Sequence, residues 1–317
     1  MSDISVCITC YNEAEYIGSA IRSVLEQTAI DRIKEIIVID DGSTDESERR
    51  IREFATKDTR LVHVTQRNQG LPAARNAAMR RATGRYIAFL DGDDFWESRK
   101  TTLQLAAFED PAIGLVYSDY MDFRTDRGAN RMLICVRRFS GQGHDVVSEF
   151  FVHDGPIIPS SVMIRREVFQ EIGGFDVRYR IGEDTDYWMR VALSGFGFQH
   201  TPGGLVFKRR HERNLTRDLE RFASVFEEQT HCYAEQHDFL KPLAARRLSI
   251  RYAKIGQSLL ASGRFGRASS YLARALQYDL RNARAYAYIG ALPLYALGGP
   301  NALNGPKRVY HLIRSRA

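Results

Sequence analysis

The chain has 317 residues, of which 44% are hydrophobic and 26% are charged. This composition is typical of a globular protein and excludes disordered, collagen-like and coiled-coil classes. At roughly 100–200 residues per domain, the length predicts two domains. The net charge of +6 is unevenly divided, with −6 on residues 1–207 and +12 on residues 208–317. The two parts are therefore expected to meet different partners.

The four cysteines are too few and too scattered for a disulfide framework. Cys7 and Cys10 lie in an apolar run that predicts a strand, where residues three apart face opposite sides and cannot share a metal. The first residues lack the basic and apolar regions of a signal peptide. A cytoplasmic location is therefore expected.

Short apolar runs alternate with amphipathic segments along the first 90 residues. Asn12 is the predicted N-cap of the first helix, which begins near residue 17. The apolar run at 35–39 does not alternate, as expected of a strand buried on both faces of a parallel sheet. The fold class predicted by this βαβ alternation is α/β, with an open, mostly parallel sheet flanked by helices. Strands are predicted at 4–9, 35–39, 61–64 and 86–90, and helices from 17 to 25, up to residue 57, and at 73–82.

Polar side chains follow the carboxyl ends of three predicted strands. They are Thr9 with Tyr11, then Asp41, then Asp91 with Asp93. Open α/β sheets bind ligands at this edge, so a binding site is predicted there. The chain contains neither a G-x-G-x-x-G sequence after the first strand nor a G-x-x-x-x-G-K-[ST] sequence. A dinucleotide oxidoreductase and a P-loop nucleotidase are therefore disfavoured.

The sequence D-G-D-D at 91–94 is the sharpest local signal. Two carboxylates on one loop, with Gly92 allowing the backbone to come close, suit a Mn²⁺ or Mg²⁺ ion that also binds a diphosphate. Asp and Gly are also common turn residues, so on these residues alone a simple turn is equally open.

Several segments together resemble the family 2 inverting glycosyltransferases, over about residues 3–217. The resemblance implies a GT-A fold, which is a Rossmann-like, mostly parallel sheet, and a nucleotide-sugar donor. The segments are T-C-Y-N-E at 9–13, I-V-I-D-D-G-S-T-D at 37–45, N-Q-G-L-P-A-A-R-N at 68–76, D-G-D-D at 91–94, G-G-F-D at 173–176 and G-E-D-T-D-Y-W at 182–188.

The resemblance also assigns roles to single residues. Asp184 matches the catalytic base, with Glu183 as the neighbour most easily confused with it. Asp93 and His211 match ligands of a Mn²⁺ or Mg²⁺ cofactor. Acidic residues at 183–186 would also favour the dipole of a helix that starts there, which is the structural alternative. The residues expected to bind the nucleotide sugar are Thr9, Tyr11, Glu13, Asp41, Arg75, Asp91, Gly92 and Arg210.

The Q-x-x-R-W sequence of the family's processive members is absent. The resemblance therefore implies transfer of one sugar per encounter, from a UDP-sugar to a hydroxyl of a glycan or lipid-linked glycan. Two alternatives stay open at this point. One is an inactive nucleotide-sugar sensor or scaffold that works through its helical part. The other is a nucleotidyltransferase, which the lack of a Gly-rich, basic start at 9–13 disfavours.

Residues 218–317 predict a small all-α region that follows a GT-A domain at 1–217. The sequence Y-A-K-I-G at 252–256 recurs as Y-A-Y-I-G at 286–290, a spacing that resembles a tetratricopeptide repeat. One and a half repeats cannot form a free-standing solenoid, so packing on the first domain or on a second copy of the chain is expected.

The segment 307–316 is basic and has apolar side chains on one face of a predicted helix. It predicts peripheral contact with an anionic membrane surface, on the inner face of the membrane. A solvated basic face is the alternative. Nucleic acid is not an expected partner, because the basic residues form no recognition motif.

Overall fold

The computed structural model describes residues 2–124, 130–153, 157–210 and 219–298. The chain divides into two compact units. The first comprises Met1–Phe150 with Asp154–Leu215, and the second comprises Phe151–His153 with Thr216–Ala317.

The first unit is an α/β fold, as predicted. Its described strands are β1 (Ile4–Cys10), β2 (Ile33–Asp40), β3 (Leu61–Thr65), β4 (Tyr86–Asp91), β5 (Phe95–Trp96), β6 (Ile113–Arg124), β7 (Asn130–Ile134), β8 (Val162–Arg165) and β9 (Gly197–Arg210). Its described α-helices are α1 (Ile17–Leu25), α2 (Ser47–Ala55), α3 (Leu71–Arg81), α4 (Lys100–Ala106), α6 (Arg166–Ile172) and α7 (Glu183–Leu193), together with α5 (His144–His153) as far as Phe150.

The described strands form one mixed sheet in the order β3-β2-β1-β4-β8-β6-β9-β5, with β7 paired to β6. Strands β3, β2, β1 and β4 run parallel to one another. Strand β8 is antiparallel to both β4 and β6, whereas β9 runs parallel to β6. The carboxyl ends of β1, β2 and β4 therefore share one edge, where the polar residues of the sequence motifs follow.

The core of this unit surrounds its central strands. All seven residues of β1 are buried, and β2 is buried continuously from Ile36 to Asp40. This is the expected pattern for parallel strands covered on both faces. Helix α3 begins at Leu71, two residues earlier than predicted, because Pro72 is accepted in the first turn, where a missing N–H costs nothing.

Asn12 is not the N-cap of α1, which corrects the expectation from its spacing. The residue before the helix is Tyr16, and it makes no side-chain cap. Asn12 instead has φ 55°, a left-handed conformation that asparagine tolerates. Its Oδ1 accepts a hydrogen bond from the N–H of Thr44 at 2.7 Å, so it connects the loop after β1 to the loop after β2.

The described part of the second unit is helical. Its α-helices are α8 (Leu219–Gln236), α9 (Lys241–Ala261), α10 (Phe265–Tyr278) and α11 (Ala283–Gly298). The carboxylate of Glu227 on α8 accepts hydrogen bonds from the hydroxyls of Tyr252 and Tyr278, each at 2.8 Å. These bonds tie α8 to α9 and α10 above their shared apolar core.

The two glycines of the predicted repeat differ in their packing. A Cβ on Gly256 would lie 2.7 Å from Cγ of Leu272, so the glycine lets α9 approach α10 closely. A Cβ on Gly290 would meet nothing within 4 Å among the described residues. The sequence echo therefore does not place its second copy at an equivalent helix crossing within residues 219–298.

Among the described residues, none of the helices combines the length and the apolar character needed to cross a membrane. The basic segment 307–316, for which membrane contact is predicted, lies outside the described residues.

We expect Gly256→Ala to destabilise the helical unit by about 1–3 kcal/mol, because the added methyl group overpacks the contact with Leu272. Gly290→Ala is the matched control and should leave stability equal or slightly higher, since alanine is the better helix former. Thermal unfolding followed by circular dichroism at 222 nm tests this pair. Equal melting temperatures for both variants would contradict the packing described here.

Candidate active site

The acidic loop, residues 91–94 at the end of β4, has carboxylates in two different environments. Asp91 and Asp93 are partly exposed, whereas Gly92 and Asp94 between and after them are buried. Asp94 accepts hydrogen bonds from the Ser160 hydroxyl at 2.7 Å and from the N–H of Arg209 at 3.0 Å. Asp94 therefore anchors the loop, while Asp91 and Asp93 face the edge of the sheet.

Gly92 is required by the tight approach of this loop to β1. Its N–H donates to the carbonyl oxygen of Thr9 at 2.9 Å. A Cβ at Gly92 would lie 2.9 Å from that same oxygen and would collide with Oε2 of Glu13. Only glycine fits this position without displacing a neighbour.

Glu13 points into the acidic loop. Its Oε2 is buried and has no hydrogen-bond partner among the described residues. Burial raises the pKa of Glu13 well above its ordinary value, and the negative charges of Asp93, Asp91 and Asp94 raise it further. Thr9 lies beside this group, with its Oγ1 3.4 Å from Oδ1 of Asp91.

Asp41 holds the loop that leads into α3. It is buried, and its Oδ1 accepts hydrogen bonds from Nε2 of Gln66 at 2.7 Å and from the N–H of Gln69 at 3.0 Å. Its Oδ2 accepts from the N–H of Gly70 at 2.8 Å. A carboxylate offers about four acceptor positions, so one remains for the predicted bond to a nucleotide base. Tyr11, by contrast, is 47% exposed at the same edge.

Arg75 joins the two acidic parts of the site. It is 2% exposed, and its Nη2 donates to Oδ1 of Asp91 at 2.8 Å. Its Nη1 donates to Oε1 of Glu183, the first residue of α7, at 2.7 Å. Although burial opposes its charge, Asp91 and Glu183 raise the pKa of Arg75 above its ordinary value. Arg75 is therefore a buried ion-pair partner of two carboxylates.

Asp184 stands in the first turn of α7, which begins after Gly182 in a left-handed conformation. Its Oδ1 accepts a hydrogen bond from the N–H of Thr185 at 2.7 Å, which orients the carboxylate. Burial raises the pKa of Asp184, while the charges of Arg75 and then Lys208 oppose that rise. Burial, followed by the charge of Asp184, raises the pKa of Glu183 to about 7.

Arg210 pairs with a carboxylate of the neighbouring strand. Its Nε donates to Oδ1 of Asp122 on β6 at 2.7 Å. His211, the second predicted metal ligand, lies outside the described residues. Within the part of the chain that the structure describes, no group of three or more His, Cys, Asp or Glu side chains is arranged to hold a metal ion.

Three further residues of the site are not among the site residues predicted from the sequence. Burial raises the pKa of both Asp94 and Asp184, and the charge of Lys208 opposes that rise in each, which places its ammonium within electrostatic range of both carboxyls. Arg209 donates from Nε to the carbonyl oxygen of Asp93 at 3.0 Å. Ser160 accepts from the N–H of Asp91 at 3.1 Å. The basic run at 208–210 was a visible signal for the first two, whereas nothing in the local sequence marks Ser160.

The structure thus brings Thr9, Glu13, Arg75, Asp91 and Gly92 together, and Glu183 adds the start of α7. Carboxylates from the ends of parallel strands thus lie next to a helix that presents further carboxylates, at the sheet edge where α/β folds bind ligands.

A comparison with known protein families supports the resemblance described from the sequence motifs. The model of the family described as "Glycosyl transferase family 2" matches residues 5–173. This match covers more than half of the chain, and the chain belongs to that family.

Individual relatives differ in how much they share with this chain. An uncharacterized glycosyltransferase of Rickettsia conorii is 34% identical over 189 residues, which are 60% of this chain and 30% of that protein. TuaG of Bacillus subtilis, a glycosyltransferase named for teichuronic acid biosynthesis, is 30% identical over 61% of this chain and 73% of its own length. The chain therefore spans less than a third of the rickettsial relative.

Solved structures share the fold. Staphylococcus aureus TarS (residues 1–349) has a TM-score of 0.63 at 17% identity, covering 98% of this chain and 92% of that one. The mannosyltransferase PcManGT of Pyrobaculum calidifontis, solved with GDP-Man and Mn²⁺, has a TM-score of 0.63 at 20% identity, covering 99% and 84%. At these identities the likeness supports the GT-A fold alone.

We expect Gly92→Ala to weaken the binding of UDP in the presence of Mn²⁺ by about tenfold or more, because the added methyl group displaces either β1 or Glu13. Gly266→Ala is a suitable control, since a Cβ there meets nothing within 4 Å among the described residues. Isothermal titration calorimetry measures both. Unchanged binding by the Gly92 variant would show that the loop tolerates a side chain.

The raised pKa of Glu183 makes stability depend on pH. In the folded chain the pKa of the Glu183 carboxyl is about 7, above its ordinary value of 4.5. Protonated Glu183 therefore stabilises the folded state at low pH, and this stabilisation is lost as the pH rises through neutrality. We expect the melting temperature of Glu183→Gln, relative to wild type, to increase from pH 5 to pH 8. A difference that is constant over this range would contradict the raised pKa.

Proposed function

We propose that the chain is a non-processive, inverting glycosyltransferase that moves a sugar from a nucleotide diphosphate sugar, a UDP-sugar, to a hydroxyl of a glycan or lipid-linked glycan. The observation that carries the proposal is the bridge formed by Arg75. It sets Asp91, at the donor end of the sheet, beside the helix turn that bears Asp184. A donor and a proton acceptor are thereby held next to each other, as a direct displacement requires.

The names of related proteins support the choice of substrates. WfaP of Escherichia coli, named as a UDP-Glc:α-D-GlcNAc-diphosphoundecaprenol β-1,3-glucosyltransferase, is 37% identical over 121 residues, which are 38% of this chain and 47% of WfaP. TarS has been solved with UDP-GlcNAc. Both names contain a uridine nucleotide sugar, and one of them contains a lipid-linked acceptor.

In the proposed reaction Asp184 is the general base. The acceptor hydroxyl oxygen attacks the anomeric carbon from the face opposite the diphosphate, and its proton passes to the carboxylate of Asp184. The bond between the anomeric carbon and the diphosphate oxygen breaks, and its electron pair leaves with the diphosphate. Burial raises the pKa of Asp184, while the charges of Arg75 and Lys208 oppose that rise and favour the ionised form that a base needs.

A divalent cation fits the acidic loop chemically. Carboxylate oxygens are preferred donors for Mg²⁺ and Mn²⁺, and Oε2 of Glu13 is a buried oxygen without a described partner. Burial, followed by repulsion from Asp93 and Asp91, raises the pKa of Glu13, and a cation near these carboxylates would relieve the repulsion. Asp93, with His211, would hold the ion. When bound, Mn²⁺ or Mg²⁺ would stabilise the negative charge of the departing diphosphate.

The partners of the second unit stay predictions. Contact of the segment 307–316 with an anionic membrane surface, and association of two chains through the helical unit, rest on the sequence patterns alone. Tyr11, Asp41 and Arg210 likewise keep their predicted role in nucleotide-sugar binding, which the arrangement at the sheet edge supports for the first two.

The test of the proposed function is a comparison of Asp184→Asn with Asp186→Asn. Asp186 lies in the same helix turn and pairs with Arg190 at 2.9 Å, so it is a matched loss of one charge. Initial rates of nucleoside diphosphate release are measured with Mn²⁺, a glycan or lipid-linked acceptor mixture and a panel of UDP-glucose, UDP-N-acetylglucosamine, UDP-galactose and GDP-mannose. We expect Asp184→Asn to lose about 10²–10⁴-fold in rate, as the loss of a general base implies.

Calorimetry with UDP and Mn²⁺ should give equal affinities for wild type and Asp184→Asn, since Asp184 acts on the acceptor and not on the nucleotide. Full activity of Asp184→Asn would remove it as the base. Nucleotide binding without turnover of any donor would instead favour an inactive sensor.

A further inference from the structure

The guanidinium of Arg75 is used inside the protein. It lies in the middle of α3, is 2% exposed, and donates one hydrogen bond to Asp91 and one to Glu183. Its Cζ also lies 5.4 Å from the ring centre of Phe175. Both Nη atoms of Arg75 donate to protein carboxylates, and its guanidinium packs against an aromatic ring. Arg75 therefore interacts with the protein in preference to a ligand.

One cation is shared by more than one carboxylate here. Asp91, Glu183 and Asp184 all act on the charge of Arg75. Asp184 faces Arg75 from α3, Lys208 from β9 and Asp91 from β4, and it bonds to the N–H of Thr185 on its own helix. Glu183 faces Arg75 and Asp184. The negative groups outnumber the nearby cations, so adjacent Glu183 and Asp184 compete for one positive charge.

We propose that Glu183 is a positioning residue for the transfer reaction: its ion pair with Arg75 fixes the first turn of α7, and its charge controls how strongly Asp184 takes up the acceptor proton. Glu183 itself touches neither donor nor acceptor. Its carboxylate is 8% exposed and is directed at Arg75. The inference rests on the proposed function, because it takes Asp184 as the base.

The proposal has a consequence for the pH dependence of the reaction. Two interacting carboxyls lose their protons in two macroscopic steps that belong to the pair. Burial and Asp184 raise the pKa of Glu183 to about 7, so the second proton leaves near neutrality. Once Glu183 is ionised, its negative charge makes Asp184 a stronger base. The rate should therefore rise again through pH 7 after a first rise at lower pH.

The experiment is a profile of kcat from pH 5 to pH 9 for wild type and Glu183→Gln, using the most rapidly used donor of the panel described above. Glutamine keeps an oxygen that can accept from Arg75, but it cannot ionise. We expect Glu183→Gln to lose the rise near pH 7, to match wild type below pH 6, and to be about three- to tenfold slower above pH 8. The KM for the donor should not change.

Asp186→Asn is the control, and it should keep the wild-type profile. Glu183→Asp is assayed in parallel, so the test does not depend on whether Glu183→Gln folds. Its carboxylate is one methylene shorter and cannot keep the 2.7 Å bond to Arg75 without moving the helix. We expect its kcat to fall about tenfold at every pH, with little change in donor KM.

Three results would overturn the proposal: a wild-type profile without a rise near pH 7, a Glu183→Gln profile that coincides with wild type, or a wild-type kcat for Glu183→Asp. Any of these, with Asp184→Asn still inactive, rejects the role of Glu183 and leaves the proposed function standing. Full activity of Asp184→Asn rejects the proposed function itself.

Discussion

The buried charge of Arg75 is the constraint around which the site is organised. A guanidinium that is 2% exposed is costly unless carboxylates surround it, and its partners come from the end of β4 and from the start of α7. Residue 75 and residue 183 are 108 positions apart, so this contact depends on long-range folding of the chain. The contact between Arg75 and Glu183 also fixes the position of Asp184, because Asp184 directly follows Glu183 in the chain.

The acidic loop depends on a second, separate set of contacts. Asp94 turns inward to Ser160 and to the backbone of Arg209, and this leaves Asp91 and Asp93 at the surface of the edge. Asp94 thus stabilises the conformation of the loop, while Asp91 accepts a hydrogen bond from Arg75 at the edge of the sheet. Gly92 permits the arrangement because β1 passes within contact of its backbone.

Hydrophobic patterns within short segments predicted those strands and helices that depend mainly on neighbouring residues in the chain. The four N-terminal strands and the α/β class follow from apolar runs such as 35–39, whereas the roles of Asp91, Asp93 and Asp184 stay predictions from the motifs. The position of β8 between β4 and β6 has no local signal, because it is decided by pairing over long separations. The same limit hid Ser160 and the link from Arg75 to Glu183. Asn12 was misplaced because its spacing fits a helix cap, while its actual partner lies on another loop.

The order of the sheet also bears on how the chain is made. The first three parallel pairings, β2 with β1, β3 with β2 and β4 with β1, can form within the first 91 residues of a nascent chain. The outer edge of β4 then has unpaired N–H and C=O groups until Val162–Arg165 leave the ribosome and add β8. During that interval the growing chain exposes an apolar strand edge of the kind that attracts other chains. Slow translation between residues 91 and 165 would lengthen this exposure.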